Sequence, residues 1–439
     1  MIKLIVDNSI CRLEGLTRDM EKELKELLSY SLDSQAAYFA KAYRTKRSLL
    51  TKRGEFPTGL LYLVHACFVR NHTYYQLEDI RKVPEKRPGL FTMQSKQTPY
   101  PEQLEAAKAA VDYKRGIISA PTGVGKSLIC AHIINELQVP TLIVVPSLEL
   151  KRQTIAGLKS IFKDGVQHIT VKNVDALDPN ETDNEHACVI LDEFHHSGAK
   201  TYRKLNQKAW KNIYYKFGLT ATPFRNQDNE RLLLESVLSK VIYRIDYATA
   251  MAKGYICPVE AYYYELPKRK TNAYAWSEVY SELIVGNKVR NDLISSILKR
   301  LETANASTLC LVKEIAHGED LKKRTGIPFA NGLAEDTRIL ILEFALDERK
   351  ALIGTTGVLG EGVDTKPAEY VIIAGLGKSR GAFTQQVGRG LRRYGNKTSC
   401  KVILFKDKSH KFTLRHFNEQ VKFLKEEYGI EPIKLEMYD

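Results

Sequence analysis

The sequence has little of what marks a secreted or membrane-spanning protein. Its 439 residues include seven scattered cysteines, an odd number, and no C-x-x-C pair occurs. Neither a disulfide framework nor a cysteine-rich zinc site is therefore indicated. No run approaches the ~20 apolar residues that a membrane helix needs. Asp7, Arg12 and Glu14 interrupt the N-terminal stretch, so we expect no secretory signal, no membrane partner and reduced thiols in a cytoplasmic protein.

Acidic residues are the scarcer charged class. The chain has 52 Asp and Glu against 66 Lys and Arg, which gives a net charge of +14 and a pI near 9.2. The simplest partner for such a surface is a polyanion, most often nucleic acid; the alternative is a generally basic soluble protein. Apolar residues make up 44%, which excludes a wholly disordered chain. The length favours two or three domains.

Short apolar runs alternate with segments of helical periodicity from about residue 96 onward. Such continuous runs are typical of parallel strands buried on both faces. We therefore predict an α/β fold with parallel sheets. The runs are Gly116–Ser119, Thr141–Val145, Ala187–Leu191, Thr308–Val312, Ala351–Ile353, Tyr370–Ala374 and Lys401–Phe405.

The runs fall into two sets, separated by the turn-rich segment 254–258. We predict two α/β lobes in tandem, at residues 96–245 and 246–439. Residues 1–95 differ, because a helical stripe that begins at Met20 is followed by a basic segment and then an apolar run at 60–69. This pattern predicts a small N-terminal α+β accessory domain that binds DNA. We see no internal repeat and no low-complexity segment.

The segment Ala120-Pro-Thr-Gly-Val-Gly-Lys-Ser127 follows a predicted strand and opens a predicted helix. This is the context of a phosphate-binding loop. Gly123 and Gly125 allow backbone N–H groups to point at phosphate oxygens. Lys126 can bind the β- and γ-phosphates, and the Ser127 hydroxyl can ligate Mg²⁺. Ala120 stands where the strict pattern has glycine; a chance glycine-rich turn is the alternative.

An acidic box, Asp192-Glu-Phe-His-His196, follows the apolar run Ala187–Leu191. An acidic residue that leaves a buried parallel strand lies at the ligand-binding edge of the sheet. Asp192 can hold Mg²⁺, and Glu193 can orient and deprotonate an attacking water. His195 could bridge the nucleotide to another element. A satisfied polar side chain is the alternative for both histidines, and we favour it for His196.

Two arginines in the second predicted lobe are candidates for an arginine finger. Arg389 and Arg392 are three residues apart in the segment 385–393, so we expect them to share one face of a helix. There they could reach the γ-phosphate when a cleft between the lobes closes. A solvated basic helix face is the alternative.

In this order, the motifs resemble those of the superfamily 2 helicases. The phosphate loop, D-E-x-H at 192–195, T-A-T-P at 220–223 and Q-x-x-G-R-x-x-R at 385–392 all occur. The resemblance covers about residues 96–410. It implies two RecA-like lobes that bind ATP and Mg²⁺, with nucleic acid across both lobes.

The resemblance also implies roles for individual residues. Those implied for nucleotide binding are Gln103, 23 residues before Lys126, with Thr122, Gly123, Val124, Gly125, Lys126, Ser127, Gly362 and Asp364. Those implied for coupling hydrolysis to movement are His195, Thr220, Thr222 and Gln385. Those implied for nucleic-acid contact are Pro146, Ser147, Gln153, Lys172, Asn173, Thr355, Thr356 and Gly357. An ordinary surface lysine is the alternative for Lys172.

The basic, aromatic-containing segment 38–53 is a candidate duplex- or junction-binding patch. It includes Arg44, Lys46 and Arg47. Its cations could follow a phosphate backbone while its aromatic rings stack on bases. A solvated basic face is the alternative for the cations; for Tyr38, Phe39 and Tyr43 the alternative is the core of the small domain, which we favour for at least two of them.

Weaker similarities lie with the XPB/RecG/UvsW group, in particular with bacteriophage branch-migration helicases of the UvsW type. That resemblance implies a nucleic-acid-stimulated ATPase and DNA helicase that acts on forks, Holliday junctions and R-loops, although the motor motifs alone do not separate DNA from RNA. It also implies a monomer in the host cytoplasm and a role in recombination, repair or replication. An RNA-directed DExH helicase or a restriction-complex motor is the alternative. A non-catalytic nucleotide-gated clamp is less favoured, because Lys126, Asp192, Glu193 and Arg392 are all present.

Overall fold

The computed structural model describes residues 1–31, 46–94, 97–194, 199–221, 228–359, 365, 367–375, 377 and 379–436. They divide into two units: residues 1–120 with 125–244, and residues 121–124 with 245–439. No helix within these ranges is long and apolar enough to cross a membrane. Each of the seven cysteines is buried and unpaired, so none is poised at the surface.

Within its described residues, the N-terminal segment combines short strands with two helices. The strands are β1 Ile2–Val6, β2 Ile10–Glu14, β3 Ser29–Ser31, β4 Lys46–Ser48, β5 Glu55–Pro57, β6 Tyr75–Asp79 and β7 Thr92–Met93. Four of them form a mixed sheet in the order β5-β2-β1-β6, while β3 pairs with β4. The helices are Arg18–Leu27, capped by the Thr17 hydroxyl, and Leu61–Arg70. The predicted α+β character of this segment is confirmed.

The first parallel sheet occupies the rest of the first unit. Its flanking helices are Pro101–Tyr113, Lys126–Leu137, Leu148–Ile161, Ala199–Gln207 and Asp228–Leu238. Its strands are β8 Arg115–Ser119, β9 Thr141–Val145, β11 Ile169–Asn173, β12 Cys188–Asp192, β13 Tyr215–Thr220 and β14 Val241–Arg244, whereas β10 Phe162–Asp164 pairs with β7 in an antiparallel two-stranded sheet. The sheet order is β11-β9-β12-β13-β8-β14, and every neighbouring pair is parallel. β8 and β9 are buried along their whole length, as continuous apolar runs predict; β13 is equally buried although Lys216 interrupts its apolar run.

The second parallel sheet lies in the second unit. Its strands are β15 Val259–Glu265, β16 Thr308–Val312, β17 Phe329–Ala330, β18 Ala351–Thr355, β19 Tyr370–Ile373, β20 Cys400–Lys406 and β21 Ile433–Leu435. Their order is β17-β18-β16-β19-β20-β15-β21, again with parallel neighbours throughout. The helices are Tyr247–Ala252, Trp276–Tyr280, Lys288–Thr303, Ile315–Thr325, Thr337–Ala345, Arg380–Gly388 and Lys411–Phe423. Two parallel sheets in tandem confirm the predicted α/β class with two RecA-like lobes. The exact domain boundaries at 95 and 245 stay predictions.

A buried lysine joins the N-terminal hairpin to the first parallel sheet. The hairpin consists of the antiparallel strands β1 and β2 and the turn between them. Lys216 lies on β13, and its ammonium nitrogen donates to Asn206 Oδ1 at 2.7 Å, Trp210 O at 2.8 Å and Ser9 Oγ at 2.9 Å. The Asn8 carbonyl lies 3.3 Å from the same nitrogen and also accepts from Arg115 Nη2. Burial and the neighbouring Arg115 lower the pKa of Lys216 well below its ordinary value. Because the partners belong to the hairpin and to the lobe, this network fixes one on the other.

Apolar packing continues across the same junction. One cluster contains Leu4 and Phe56 of the N-terminal sheet together with Val189 and Trp210 of the lobe. A Cβ at Gly59 would clash with the backbone of Ser236, so glycine is needed for this close approach. The N-terminal sheet is therefore part of the core of the first unit.

We predict that Lys216→Met lowers the free energy of unfolding of the first unit by about 2–4 kcal/mol, because several buried acceptors lose their shared hydrogen-bond donor. Urea unfolding followed by circular dichroism measures the change. The matched control is Lys211→Met, at an exposed lysine, which should stay within ~0.5 kcal/mol. Equal unfolding midpoints for Lys216→Met and the unsubstituted protein would show that the network contributes nothing.

Candidate active site

The predicted phosphate loop connects β8 to the helix Lys126–Leu137. Gly123 and Gly125 have φ values of +96° and +87°, in the left-handed region that favours glycine. The Ala120 N–H donates to Thr220 O at 2.9 Å, which ties the start of the loop to the end of β13. Lys126 is half-buried and Ser127 exposed in the first turn of the helix. This backbone course is typical of a loop that cradles phosphate.

The other predicted loop residues lie in the turn before Gly125. Val124 is buried and its N–H donates to Pro121 O at 3.4 Å, while Thr122 and Gly123 are half-buried. Backbone N–H groups of such a turn are the donors that a phosphate-binding loop offers. Their assignment to nucleotide binding stays a prediction.

Gln103 lies against this loop. Its side chain is buried, and Oε1 accepts from the Tyr100 N–H at 2.8 Å. A Cβ at Gly125 would lie 2.7 Å from Gln103 Nε2. The structure therefore brings the predicted adenine-reading glutamine beside the phosphate loop, although the two are 22 residues apart in sequence.

Three strand ends bring Lys126, Glu193 and Thr220 together. Lys126 Nζ lies 2.9 Å from Glu193 Oε1, and the Thr220 hydroxyl donates to Glu193 Oε2 at 3.4 Å. The Glu193 N–H donates to Leu219 O at 2.9 Å, with a φ of +46° at Glu193. A positive φ at a residue other than glycine is a strained conformation that clusters at functional sites. The strain turns the carboxylate directly toward the loop lysine.

The Asp192 carboxylate is suited to bind a divalent cation that is also bound by substrate phosphates. Burial, followed by the neighbouring Glu193, raises the pKa of Asp192 to about 7. Its Oδ1 is buried and has no hydrogen-bond partner within the described part of the chain. The same residues contain no cluster of His, Cys, Asp and Glu that could hold a metal alone. Mg²⁺ commonly uses one or two carboxylates together with substrate phosphates, so a single carboxylate beside a phosphate loop suits this ion.

The predicted nucleic-acid residues of the first unit follow its strands. Pro146 and Ser147 come after β9, whereas Lys172 and Asn173 end β11. The Ser147 hydroxyl accepts from Leu150 N at 3.2 Å, and Asn173 Oδ1 accepts from Asp175 N at 3.0 Å. These two side chains therefore cap local helical turns. Lys172 is exposed, as is Gln153 on the helix Leu148–Ile161.

Thr355, Thr356 and Gly357 end and follow β18 in the second unit. Thr355 is buried, and the Thr356 N–H donates to Val312 O at 2.8 Å. A Cβ at Gly357 would meet open space. Lys46 and Arg47 are exposed on β4. Their proposed contacts with nucleic acid stay predictions.

Five predicted residues fall outside the described part of the chain. They are Arg44, His195, Thr222, Gly362 and Asp364. Their assignments stay predictions from the resemblance.

The prediction that Arg389 and Arg392 share a helix face is wrong. The helix Arg380–Gly388, which carries the half-buried Gln385, ends before both. Arg389 is the C-cap residue, and Arg392 lies in the irregular segment that follows. A Cβ at Gly390 would clash with Cys400 Sγ, because the chain turns there closely against β20. Both arginines stay candidates for an arginine finger, although they do not lie together on one helix.

One group of cationic and aromatic side chains in the second unit was not predicted from the sequence. Lys313 directly follows β16, and Trp276, Phe412 and Arg415 lie on two helices of the second unit. The available signal was the position of Lys313 after the apolar run Thr308–Val312, at the edge of a parallel sheet where ligands bind.

We predict that Gly125→Ala weakens binding of a non-hydrolysable ATP analogue on the order of 10-fold, because a left-handed alanine is strained and its Cβ displaces Gln103. Isothermal titration measures the affinity. The matched control is Gly157→Ala in the helix Leu148–Ile161, where a Cβ meets no atom within 4 Å. It should leave the affinity unchanged, since alanine is favoured inside a helix. Equal affinities for the two variants would contradict the proposed cradle.

Comparison with known proteins supports the motif analysis. Residues 72–225 match the family described as "Type III restriction enzyme, res subunit". The DNA 3'-5' translocase XPB2 of Sulfurisphaera tokodaii is 25% identical over 348 residues, 66% of this chain and 78% of that protein. The ATP-dependent DNA helicase uvsW of Enterobacteria phage T4 is 22% identical over 340 residues, 69% of this chain and 67% of that protein.

A solved structure shares the fold. The structure of Saccharomyces cerevisiae Dbp5 bound to RNA and ADP BeF3 covers 78% of this chain and 91% of Dbp5, with a TM-score of 0.55 and 15% identity. At that identity the likeness concerns the fold alone. The sequence relatives, which include XPB2 and uvsW, confirm that the chain resembles the superfamily 2 helicases.

Proposed function

We propose that the chain is an ATP-dependent DNA helicase or translocase that unwinds or branch-migrates forks, Holliday junctions and R-loops in recombination, repair or replication. The observation that carries the proposal is the convergence of Lys126, Glu193 and Thr220 at one sheet edge. The net charge of +14 supports a nucleic-acid partner. Two of its relatives are named a DNA translocase and a DNA helicase. We propose that it works as a monomer, since both lobes lie in one chain.

The loop residues fit ATP with Mg²⁺. Backbone N–H groups of 122–127 would bind phosphate oxygens, and the Lys126 ammonium would bind the β- and γ-phosphates. Ser127 and Asp192 would hold the ion, with Asp192 offering its unpartnered Oδ1. Mg²⁺ supplies neutralisation of phosphate charge when bound. Gln103, beside Gly125, would read the adenine.

Glu193 is the proposed general base. It would accept a proton from the attacking water as the water oxygen bonds to the γ-phosphorus and the bond to the β-phosphate oxygen breaks, giving ADP and phosphate. Lys126 pairs with Glu193 at 2.9 Å, and a γ-phosphate competes for the same ammonium. Nucleotide binding would thus release the Glu193 carboxylate for this role. Arg389 and Arg392 are the proposed sources of positive charge in the transition state.

Strand neighbours offer a route from hydrolysis to movement. β12, which delivers Asp192 and Glu193, lies between β9 and β13 in the sheet. Pro146 and Ser147 follow β9, and Thr220 ends β13 with its hydroxyl on Glu193. A shift of the acidic box on phosphate release would therefore act on both the T-A-T-P segment and the proposed nucleic-acid edge.

The alternative is that the same motor acts on RNA or forms part of a restriction complex. The matched family is described by a restriction subunit, and the motor motifs do not separate DNA from RNA. The two-stranded sheet of β3 and β4, with its exposed Lys46 and Arg47, supports a duplex or junction partner because cations bind the phosphate backbone.

We predict that Lys126→Ala, Glu193→Gln and Arg392→Ala each lower nucleic-acid-stimulated ATP hydrolysis by at least about 100-fold, while binding of DNA largely survives. Phosphate release and fluorescence anisotropy measure the two properties. The matched controls are Lys159→Ala, Glu136→Gln and Arg338→Ala, at exposed positions. A stimulated rate near that of the unsubstituted protein would remove the proposed role of the residue concerned.

We predict that a four-way DNA junction stimulates ATP hydrolysis more strongly than matched RNA, because the accessory domain is proposed to bind branched DNA. Steady-state phosphate release is compared with no nucleic acid, single-stranded DNA, the junction and matched RNA, all at one salt concentration. Stimulation by RNA alone would overturn the DNA assignment and leave the hydrolytic residues in place.

A further inference from the structure

A pocket of about 450 Å³ opens in the second unit, at the carboxyl edge of its parallel sheet. Its volume lies within the roughly 300–1,000 Å³ range of small-ligand sites. Lys313 and Thr356, which follow β16 and β18, line one side. Trp276, Phe412 and Arg415 line another.

Aromatic rings form one wall of this pocket. The Trp276 ring is perpendicular to that of Phe412, with centroids 6.0 Å apart, and lies 4.2 Å from the His416 ring centroid. His416 is buried, whereas Trp276 and Phe412 are half-buried. Each of the two half-buried rings is therefore packed against the protein on one part of its surface and exposed on another. The exposed part suits stacking with a flat ligand.

Positive charge surrounds the aromatic wall. The Lys313 ammonium lies 5.2 Å from the centroid of the Tyr280 ring, which restricts its position. Arg415 is exposed on the helix Lys411–Phe423. No carboxylate lines the pocket, and neither cation has a carboxylate partner within the described residues. The ligand that fits these walls has a flat ring and a negative charge.

We infer that this pocket binds one unstacked base of single-stranded nucleic acid, with the base stacked on Trp276, its edge toward Phe412 and its flanking phosphates near Lys313 and Arg415. The inference rests on the proposed function and adds a base-binding subsite to it. Thr356, a proposed nucleic-acid residue, lines the same pocket, so a strand that reaches Thr356 passes the aromatic wall. Stacking on such a ring is tolerant of sequence, because every base has a π-face.

The test separates base contacts from phosphate contacts. Fluorescence anisotropy compares a labelled oligodeoxythymidylate with an abasic oligonucleotide of the same length, without ATP. We expect the full-length protein to bind the base-containing strand on the order of 10-fold more tightly. Trp276→Ala should remove this preference, and Trp276→Phe should restore much of it.

Tryptophan fluorescence provides a readout that needs no variant. The sequence has two tryptophans, and Trp210 is only 1% exposed in the first unit. Oligodeoxythymidylate should quench the Trp276 emission, whereas the abasic strand should leave it unchanged. This measurement also covers the case in which Trp276→Ala fails to fold.

Arg415→Gln tests the phosphate contact. It should weaken binding of both strands by a similar factor and reduce the salt dependence of binding. Lys422→Gln is the matched control, since Lys422 is an exposed cation on the same helix. It should leave both affinities unchanged.

Equal affinities for the two strands with no quenching would overturn the base pocket. If the same preparation still hydrolysed ATP in response to DNA, the proposed function would stand without the subsite. Absence of binding to either strand would overturn the subsite and the proposed function together.

Discussion

Parallel pairing of strands is the constraint on which the rest of the molecule depends. Because every strand in each large sheet runs the same way, residues that follow different strands meet at one edge. β8, β12 and β13 are adjacent or next-adjacent in the first sheet, and they deliver the phosphate loop, the acidic box and Thr220. Contact between Lys126 and Glu193 follows from this order, although 67 positions separate them in the sequence. The same constraint places Lys313 and Thr356 beside one pocket in the second sheet.

The site depends on a rigid support, and a buried lysine contributes part of it. β13 carries Lys216 near its start and Thr220 at its end. Anchoring of Lys216 by Asn206, Trp210 and the N-terminal hairpin fixes this strand at the end far from the site. Burial of the Lys216 amine with fewer hydrogen-bond partners would cost several kcal/mol. The hairpin therefore stabilises β13, the strand that positions Thr220 beside Glu193.

Apolar runs could be located from the sequence because burial on both faces leaves few polar positions. Thr141–Val145 and Thr308–Val312 coincide with β9 and β16. β13 escaped prediction because Lys216 interrupts its run, and the acceptors that allow its burial are as much as 208 residues away. The turn that follows the helix end at Gly388 also lies against a distant neighbour, since a Cβ at Gly390 would clash with Cys400 on β20. Motif order identified the candidate residues, whereas their contacts, such as Gln103 against Gly125, required the fold.

Charge distinguishes the two sheet edges. Hydrolysis needs carboxylates, since a metal ligand and a base must lie beside a lysine that holds phosphate. The first edge provides them in Asp192 and Glu193, and the strained backbone of Glu193 turns one toward Lys126. A surface that holds a nucleic-acid strand requires the opposite, because a carboxylate would repel each phosphate. The pocket with Lys313 and Arg415 meets that requirement and adds aromatic rings. Two parallel sheets can thus serve different chemistry, since the side chains that follow their strands differ in charge.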